Sequence, residues 1–211
     1  EEGSRHLGTR PGADVPVRPV SMPPCYGPWW PEVVVGAETP GGLLLPPAHP
    51  SASTLYAPRG VWLDEERLIV ADTGNHRVLI WPSVPSRDGE AAAVVLGQPD
   101  AVSEGPGTGA DRMNLPCGVL VTDAGELVVA DAWNHRILVW HAVPAVSGAP
   151  ADLVIGQPDP LADQPNTGDE PRGDTFYWPF GIGLIDGSFV VTDTGNRRVL
   201  IWRDGLPLDG R

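Results

Sequence analysis

The sequence predicts an all-β fold made of repeated four-stranded sheets, and three observations carry that prediction. Glycine and proline supply 26 and 25 of the 211 residues, so no stretch is long enough for an extended helix. Yet 41% of the chain is hydrophobic and eight residues are Trp, enough apolar surface for a core. A 14-residue pattern also recurs: LIVADTGNHRVLIW at 68–81, LVVADAWNHRILVW at 127–140 and FVVTDTGNRRVLIW at 189–202. Its acidic residues, Asp72, Asp131 and Asp193, lie 59 and 62 residues apart, and a regular internal spacing marks a repeat architecture.

Each unit reads as four strands in order. In the first unit, GVWLD at 60–64 follows a Pro-x-Gly step, LIVA at 68–71 comes next, HRVLIW at 76–81 third and AAVVLG at 92–97 last. These are short β-branched runs bounded by Gly, Pro and Asp, which is the signature of strands. The second strand is apolar on consecutive positions, so both of its faces are expected to be buried. A small sheet buried on both faces needs another sheet against each side, and radial stacking into a β-propeller supplies them with few open edges. Other features keep phase. Pro-x-Gly recurs at Pro58-Gly60, Pro116-Gly118 and Pro179-Gly181, and Gly-Gln-Pro-Asp occurs at 97–100 and 156–159, each 25 residues after its repeat Asp.

Asn75-His76-Arg77 and Asn134-His135-Arg136 give the chain a likeness to a known family: it resembles the NHL-repeat β-propellers. The GQPD elements are similar to those of a bacterial subgroup. The third unit departs from the tripeptide with Asn196-Arg197-Arg198. The resemblance covers residues 32–211 and implies a propeller, six-bladed in most relatives; it implies little about activity, since one fold hosts many functions. The resulting division is an N-terminal extension or degenerate partial blade at 1–31 and propeller blades at 32–211. Within the latter, 32–37 is a lone fourth strand, 56–97 and 115–156 are blades, and 177–203 is an incomplete blade. EVVVG at 32–36 aligns with the fourth strand ending at Gly97, while the last unit lacks a fourth strand. Two copies of three blades each would therefore close one six-bladed ring as a homodimer, each closing strand completing the partner's last blade. The competing reading is a piece of a longer single-chain propeller.

The net charge is −13, and all 14 basic residues are Arg. An acidic chain lacks the basic footprint of a nucleic-acid binder and the polybasic segment drawn to anionic membranes. Without Lys, Schiff-base and P-loop chemistry are excluded. No apolar run approaches the roughly 20 residues of a membrane helix. Cys25 and Cys117 are expected at opposite ends of their blades, about a strand length of 17 to 20 Å apart. A disulfide needs Cα atoms within about 7 Å, so both thiols are expected to be free, which leans towards a cytoplasmic compartment.

Propeller wiring places the candidate residues. Asp72, Asn75, His76, Arg77, Asp131, Asn134, His135, Arg136, Asp193, Asn196 and Arg198 share one rim, the top. Asp and Asn suit a short turn into the third strand, and Arg suits bidentate binding of carboxylates or carbonyls between blades. Recurrence in every unit favours a structural role for them. Trp81, Trp140 and Trp202 end the third strands and suit interblade packing. The positions that differ between units near the axis are the ligand-binding candidates: Arg59, Cys117 and Phe180 inside Pro-x-Gly, and Trp62 shortly after, all expected at the upper channel mouth. The leading reading is a binding or assembly propeller that uses this face for a protein or small-molecule ligand. The alternative is a metal-dependent hydrolase or lyase. Its cofactor would be a single metal ion in the channel near Arg59 and Cys117, with Cys117 as the ligand or reactive thiol.

Overall fold

The computed structural model describes residues 31–37 and 48–208. The expectations for the N-terminal extension and for Cys25 lie outside the described residues. Everything below belongs to the compact unit Glu32–Arg211.

Three antiparallel sheets follow one another along the chain. The first runs β1 (Val61–Leu63), β2 (Leu68–Asp72), β3 (Arg77–Trp81) and β4 (Val94–Leu96), each strand beside the next. The second repeats that order with β5 (Pro116–Val121), β6 (Leu127–Asp131), β7 (Arg136–Trp140) and β8 (Leu153–Ile155). The third has three strands, β9 (Pro179–Ile185), β10 (Ser188–Asp193) and β11 (Arg198–Trp202). Among the described residues there is no α-helix. The fold is all-β, and its sheets are blade-like.

Between the second and third strand of every sheet lies one 3-10 turn: Thr73–Asn75, Ala132–Asn134 and Thr194–Asn196. Each turn ends on a left-handed residue, His76, His135 or Arg197, with φ of 55°, 56° and 57°. That residue reverses the chain, so the third strand starts at the following Arg, one position later than the apolar pattern implies.

The sheets pack face to face. Ile69, Val78 and Ile80 of the first meet Val119, Leu127 and Leu138 of the second. The second sheet's other face, with Val128, Ile137 and Val139, meets Phe176, Phe189 and Val191. Two of the Pro-x-Gly glycines, Gly60 and Gly118, are forced by this stacking. A Cβ on Gly60 would lie 2.2 Å from the Cys117 carbonyl oxygen, so adjacent inner strands approach closely only without a side chain there. All five residues of β2 and of β6 are buried, whereas β10 alternates. The both-faces burial expected of every second strand therefore holds in the second sheet, which has a sheet on each side, and in the first, whose far face is covered by Val35 and Leu55, but not in the third.

Residues 32–37 form no ladder with any described strand. They nonetheless have the backbone signature of a fourth-strand end: φ is +85° at Gly36, +85° at Gly97 and +95° at Gly156. These glycines sit under Leu55, Met113 and Phe176, which hold equivalent positions in the three units.

Candidate functional site

The recurrent polar residues build one unit three times. Asp72 Oδ1 accepts the Tyr56 amide at 2.6 Å, and its Oδ2 accepts Asn75 Nδ2 at 2.8 Å and Arg77 Nε at 2.7 Å. Asp131 does the same with the Asn114 amide, Asn134 and Arg136, and Asp193 with the Tyr177 amide, Asn196 and Arg198. Each Arg meets its carboxylate through Nε alone. Its terminal nitrogens donate to carbonyls of the flanking loops, Ser51, Thr54 and Ala101 for Arg77 and Gly109, Arg112 and Pro160 for Arg136. In the first two sheets the pairing is thus one bond to carboxylate and three to backbone, rather than a bidentate fork. Arg77, Asp72, Arg136 and Asp131 have no side-chain exposure, so nothing of this unit is open to a ligand in the first two sheets. Burial raises the Asp131 carboxyl, and Arg136 with the surrounding donors pulls it back.

The histidines are struts between sheets. His76 Nδ1 accepts the Leu115 amide at 3.0 Å, and His135 Nδ1 accepts the Trp178 amide at 3.1 Å. Burial lowers both imidazoles, His135 to about 4, which keeps these acceptors unprotonated. Arg197 holds the same place in the third sheet and has no acceptor atom.

The GQPD elements turn as their composition implies. Asp100 Oδ1 accepts the Val102 and Ser103 amides, and Asp159 Oδ1 those of Leu161 and Ala162. Their glutamines do something the sequence reading missed. Gln98 Nε2 lies within bonding distance of the carbonyls of Asn75, His76 and Gly105, and Gln157 Nε2 of those of Asn134, His135 and Gln164. They clamp the backbone of the left-handed turn 22 and 23 residues earlier. Trp81 and Trp140 are buried and donate to Glu90 and Ala149 carbonyls, while Trp202 packs on Phe176 and Phe189.

The structure brings together three of the four candidate residues. The Arg59 guanidinium lies 5.9 Å from the Phe180 ring centroid, and Arg59 also borders Cys117. Trp62 stands apart: its indole N–H points to Asp64, and it lines a separate cavity of about 850 Å³ with Thr122, Asp123, Glu126 and Asp186. Cys117 is free and buried, its Sγ donates to the Leu115 carbonyl at 3.3 Å, and burial pushes its thiol up. Among the described residues no group of three His, Cys, Asp or Glu is placed to hold a metal ion, and no helix is long and apolar enough to cross a membrane.

Two further rings join Arg59 and Phe180. Trp133 stacks on Phe180 at 5.6 Å and packs tilted against Trp178 at 5.3 Å, and Trp178 lies parallel to Phe180 at 6.5 Å. Trp133 stands where the other turns have Gly74 and Gly195. A Cβ at either glycine would lie 2.3 to 2.4 Å from the Tyr56 or Tyr177 ring. In the second sheet Asn114 replaces that tyrosine and leaves room for an indole. The signal was present in the sequence as AWN against two copies of TGN.

Residues 113–140 match the family model described as the NHL repeat. No curated protein matches the chain. Among solved structures it is similar to the crystal structure of the computationally designed Ika4 protein, at 11% identity and a TM-score of 0.34. That match covers 67% of this chain and 62% of the other.

Proposed function

We propose, from the premise of an NHL repeat at 113–140, that this chain is a binding propeller whose ligand site is the top channel mouth. The narrower assignments belong to the same proposal: the GQPD-marked bacterial subgroup, three blades per chain, and a six-bladed homodimeric ring. The observation that carries the reading is the cluster of Trp133, Trp178 and Phe180 beside Arg59. The repeated Asp, Asn and Arg side chains are consumed by the fold, so recognition falls to positions where the units differ. Indoles offer broad apolar contact at low entropic cost, and an adjacent guanidinium suits a carboxylate or another planar anion. The metal-dependent hydrolase or lyase reading has weaker support, because Cys117 is a buried thiol with a raised pKa and already donates to a carbonyl.

The test is ligand-observed NMR with a set of aromatic carboxylates, on the intact chain and on Trp133→Ala and Arg59→Ala. Saturable binding lost in Trp133→Ala and weakened in Arg59→Ala is expected. Binding indifferent to both substitutions, or none at all, overturns the site.

A further inference from the structure

The structure contains one intersheet seam twice and its two unjoined halves once. In the seam between the first and second sheets, Val95 turns its backbone away from β3. Its carbonyl accepts the Gly148 amide at 2.9 Å and its amide donates to Ser147 Oγ at 3.0 Å. Residues 32–37 make the same contact on the first sheet. The Val34 carbonyl accepts the Gly89 amide at 2.9 Å, and the Val34 amide donates to Asp88 Oδ1 at 2.8 Å. Val34 lies two residues before Gly36 as Val95 lies two before Gly97, and Ser147-Gly148 is the repeat equivalent of Asp88-Gly89. Val35 packs on the first sheet's free face, as Leu96 packs towards the second sheet. Residues 32–37 therefore sit as the fourth strand of a preceding sheet. Since Val34 spends its polar groups on the first sheet, those of Val33 and Val35 point the other way, and they have no partner among the described residues.

The complementary half is on the third sheet, where β11 is an edge with no fourth strand beside it among the described residues. Its side chains Val199 and Ile201 are 55% and 58% exposed, against 0% for their equivalents Ile137 and Val139. On the far face of the first sheet Val61 and Leu63 are 65% and 60% exposed, against 7% and 9% for Val119 and Val121. One chain thus shows both sides of the seam it makes internally. Among the described residues the two sides do not meet, because residues 32–37 are fixed to the first sheet and the second sheet lies between.

We infer that residues 32–37 of one copy pair with β11 of a second copy, and reciprocally, so that the chain assembles by donating its fourth strand. This rests on the ring reading above and adds its register. Leu79 pairs with Val95 in the first sheet, flanked by Val78–Leu96 and Ile80–Val94. The equivalent pairs between copies are Val34–Leu200, Val35–Val199 and Val33–Ile201. Val34–Leu200 is the pair without mutual backbone bonds, the type whose Cβ atoms come closest. The seam between copies lacks one strut of the internal seams, since Arg197 replaces the accepting histidine.

The test uses the full chain. Sedimentation velocity at micromolar concentration is expected to give about 45 kDa, twice the 22.4 kDa chain. Val34→Cys with Leu200→Cys, in a Cys25→Ser and Cys117→Ser background, should oxidise to an intermolecular disulfide. Val33→Cys with Leu200→Cys, one residue out of register, should not. A dimer without the in-register cross-link overturns strand donation and leaves the ring standing; a monomer overturns both. Should the cysteine background fail to fold, Val199→Lys with Ile201→Lys in the wild-type chain decides it. These exposed positions should yield a folded monomer, and an unchanged dimer overturns the inference. The lysine arm leaves Arg59, Cys117 and Trp133 unchanged, so through it the ligand site fails or stands independently.

Discussion

Strands β7 and β11 carry nearly the same residues, RILVW and RVLIW, in the same place in their sheets, yet the first is buried at all five positions and the second alternates. The chemistry of the strand is therefore not what buries it; the presence of a neighbour on each side is. The polar framework divides the same way. Arg136 has no side-chain exposure and four partners, whereas Arg198 is 27% exposed and bonds to Asp193, Arg172 and Thr175. No glutamine clamps the third turn among the described residues.

The arginines give that contrast its severest trial. Arg136→Met leaves the Asp131 carboxylate wholly buried without its cation, a change that costs about 3 to 5 kcal/mol. Arg198→Met also strands a buried carboxylate, Asp193, but the arginine it removes is 27% exposed, so water can reach the vacated place and the loss should be smaller. Urea unfolding of the two variants compares them directly. Equal losses would mean that the third sheet is as enclosed as the second.

Apolar truncation probes the same difference without charge. Ile137→Ala removes side-chain volume from a fully buried site and should cost about 2 to 4 kcal/mol. At the equivalent position, Val199→Ala should cost under about 0.5 kcal/mol in dilute solution, the usual figure for a surface site. If copies associate through β11, the Val199→Ala loss should grow with protein concentration while that of Ile137→Ala stays constant.

The second sheet also differs from its neighbours at Trp133, which the exchange of Asn114 for tyrosine makes possible. Asn114→Tyr alone should clash with the indole, and Trp133→Gly alone should leave a gap beside Phe180. The double variant restores the Tyr-and-Gly pairing of the other two units. A double-mutant cycle should show coupling of about 1 to 2 kcal/mol, within the range for touching residues. Additive losses would show that the two positions do not share space.

Repetition decided what could be read from the residues alone. The strands, the turns and Pro-x-Gly recur in phase, so a fold-level pattern was visible at Asp72, Asp131 and Asp193 without any knowledge of contacts. Three things were hidden. The role of Gln98 and Gln157 depends on carbonyls more than twenty residues away. Trp62 lies two residues from Gly60 along a strand that runs away from Arg59, so proximity in sequence to Arg59 misplaced it. Trp133 and Trp178 belong to no repeated motif, and only the departure of AWN from TGN marked the first of them.

The smallest effect expected is that of pH, and it again separates the two internal seams from the third sheet. Neutral His76 and His135 accept an amide through Nδ1; a proton there would set donor against donor. Burial lowers both rings, His135 to about 4, while an imidazole in the unfolded chain titrates near 6.5. The unfolded chain thus binds these protons first on acidification. The stability owed to the neutral rings is whole above about pH 6.5 and drains as the pH falls towards 4. Asp163 and Asp193 near His135, and Glu104 near His76, favour the charged ring and soften the fall; Arg112 opposes it at His76. Asparagine tolerates the left-handed backbone and does not titrate, so His76→Asn with His135→Asn should flatten the slope between pH 7 and 4.5. Urea midpoints across that range, wild type against the double variant, measure the difference. Parallel slopes would show that the struts carry no pH dependence. Arg197→Asn, at the same turn of the third sheet, should leave the slope unchanged, because arginine has no acceptor atom there for a proton to block.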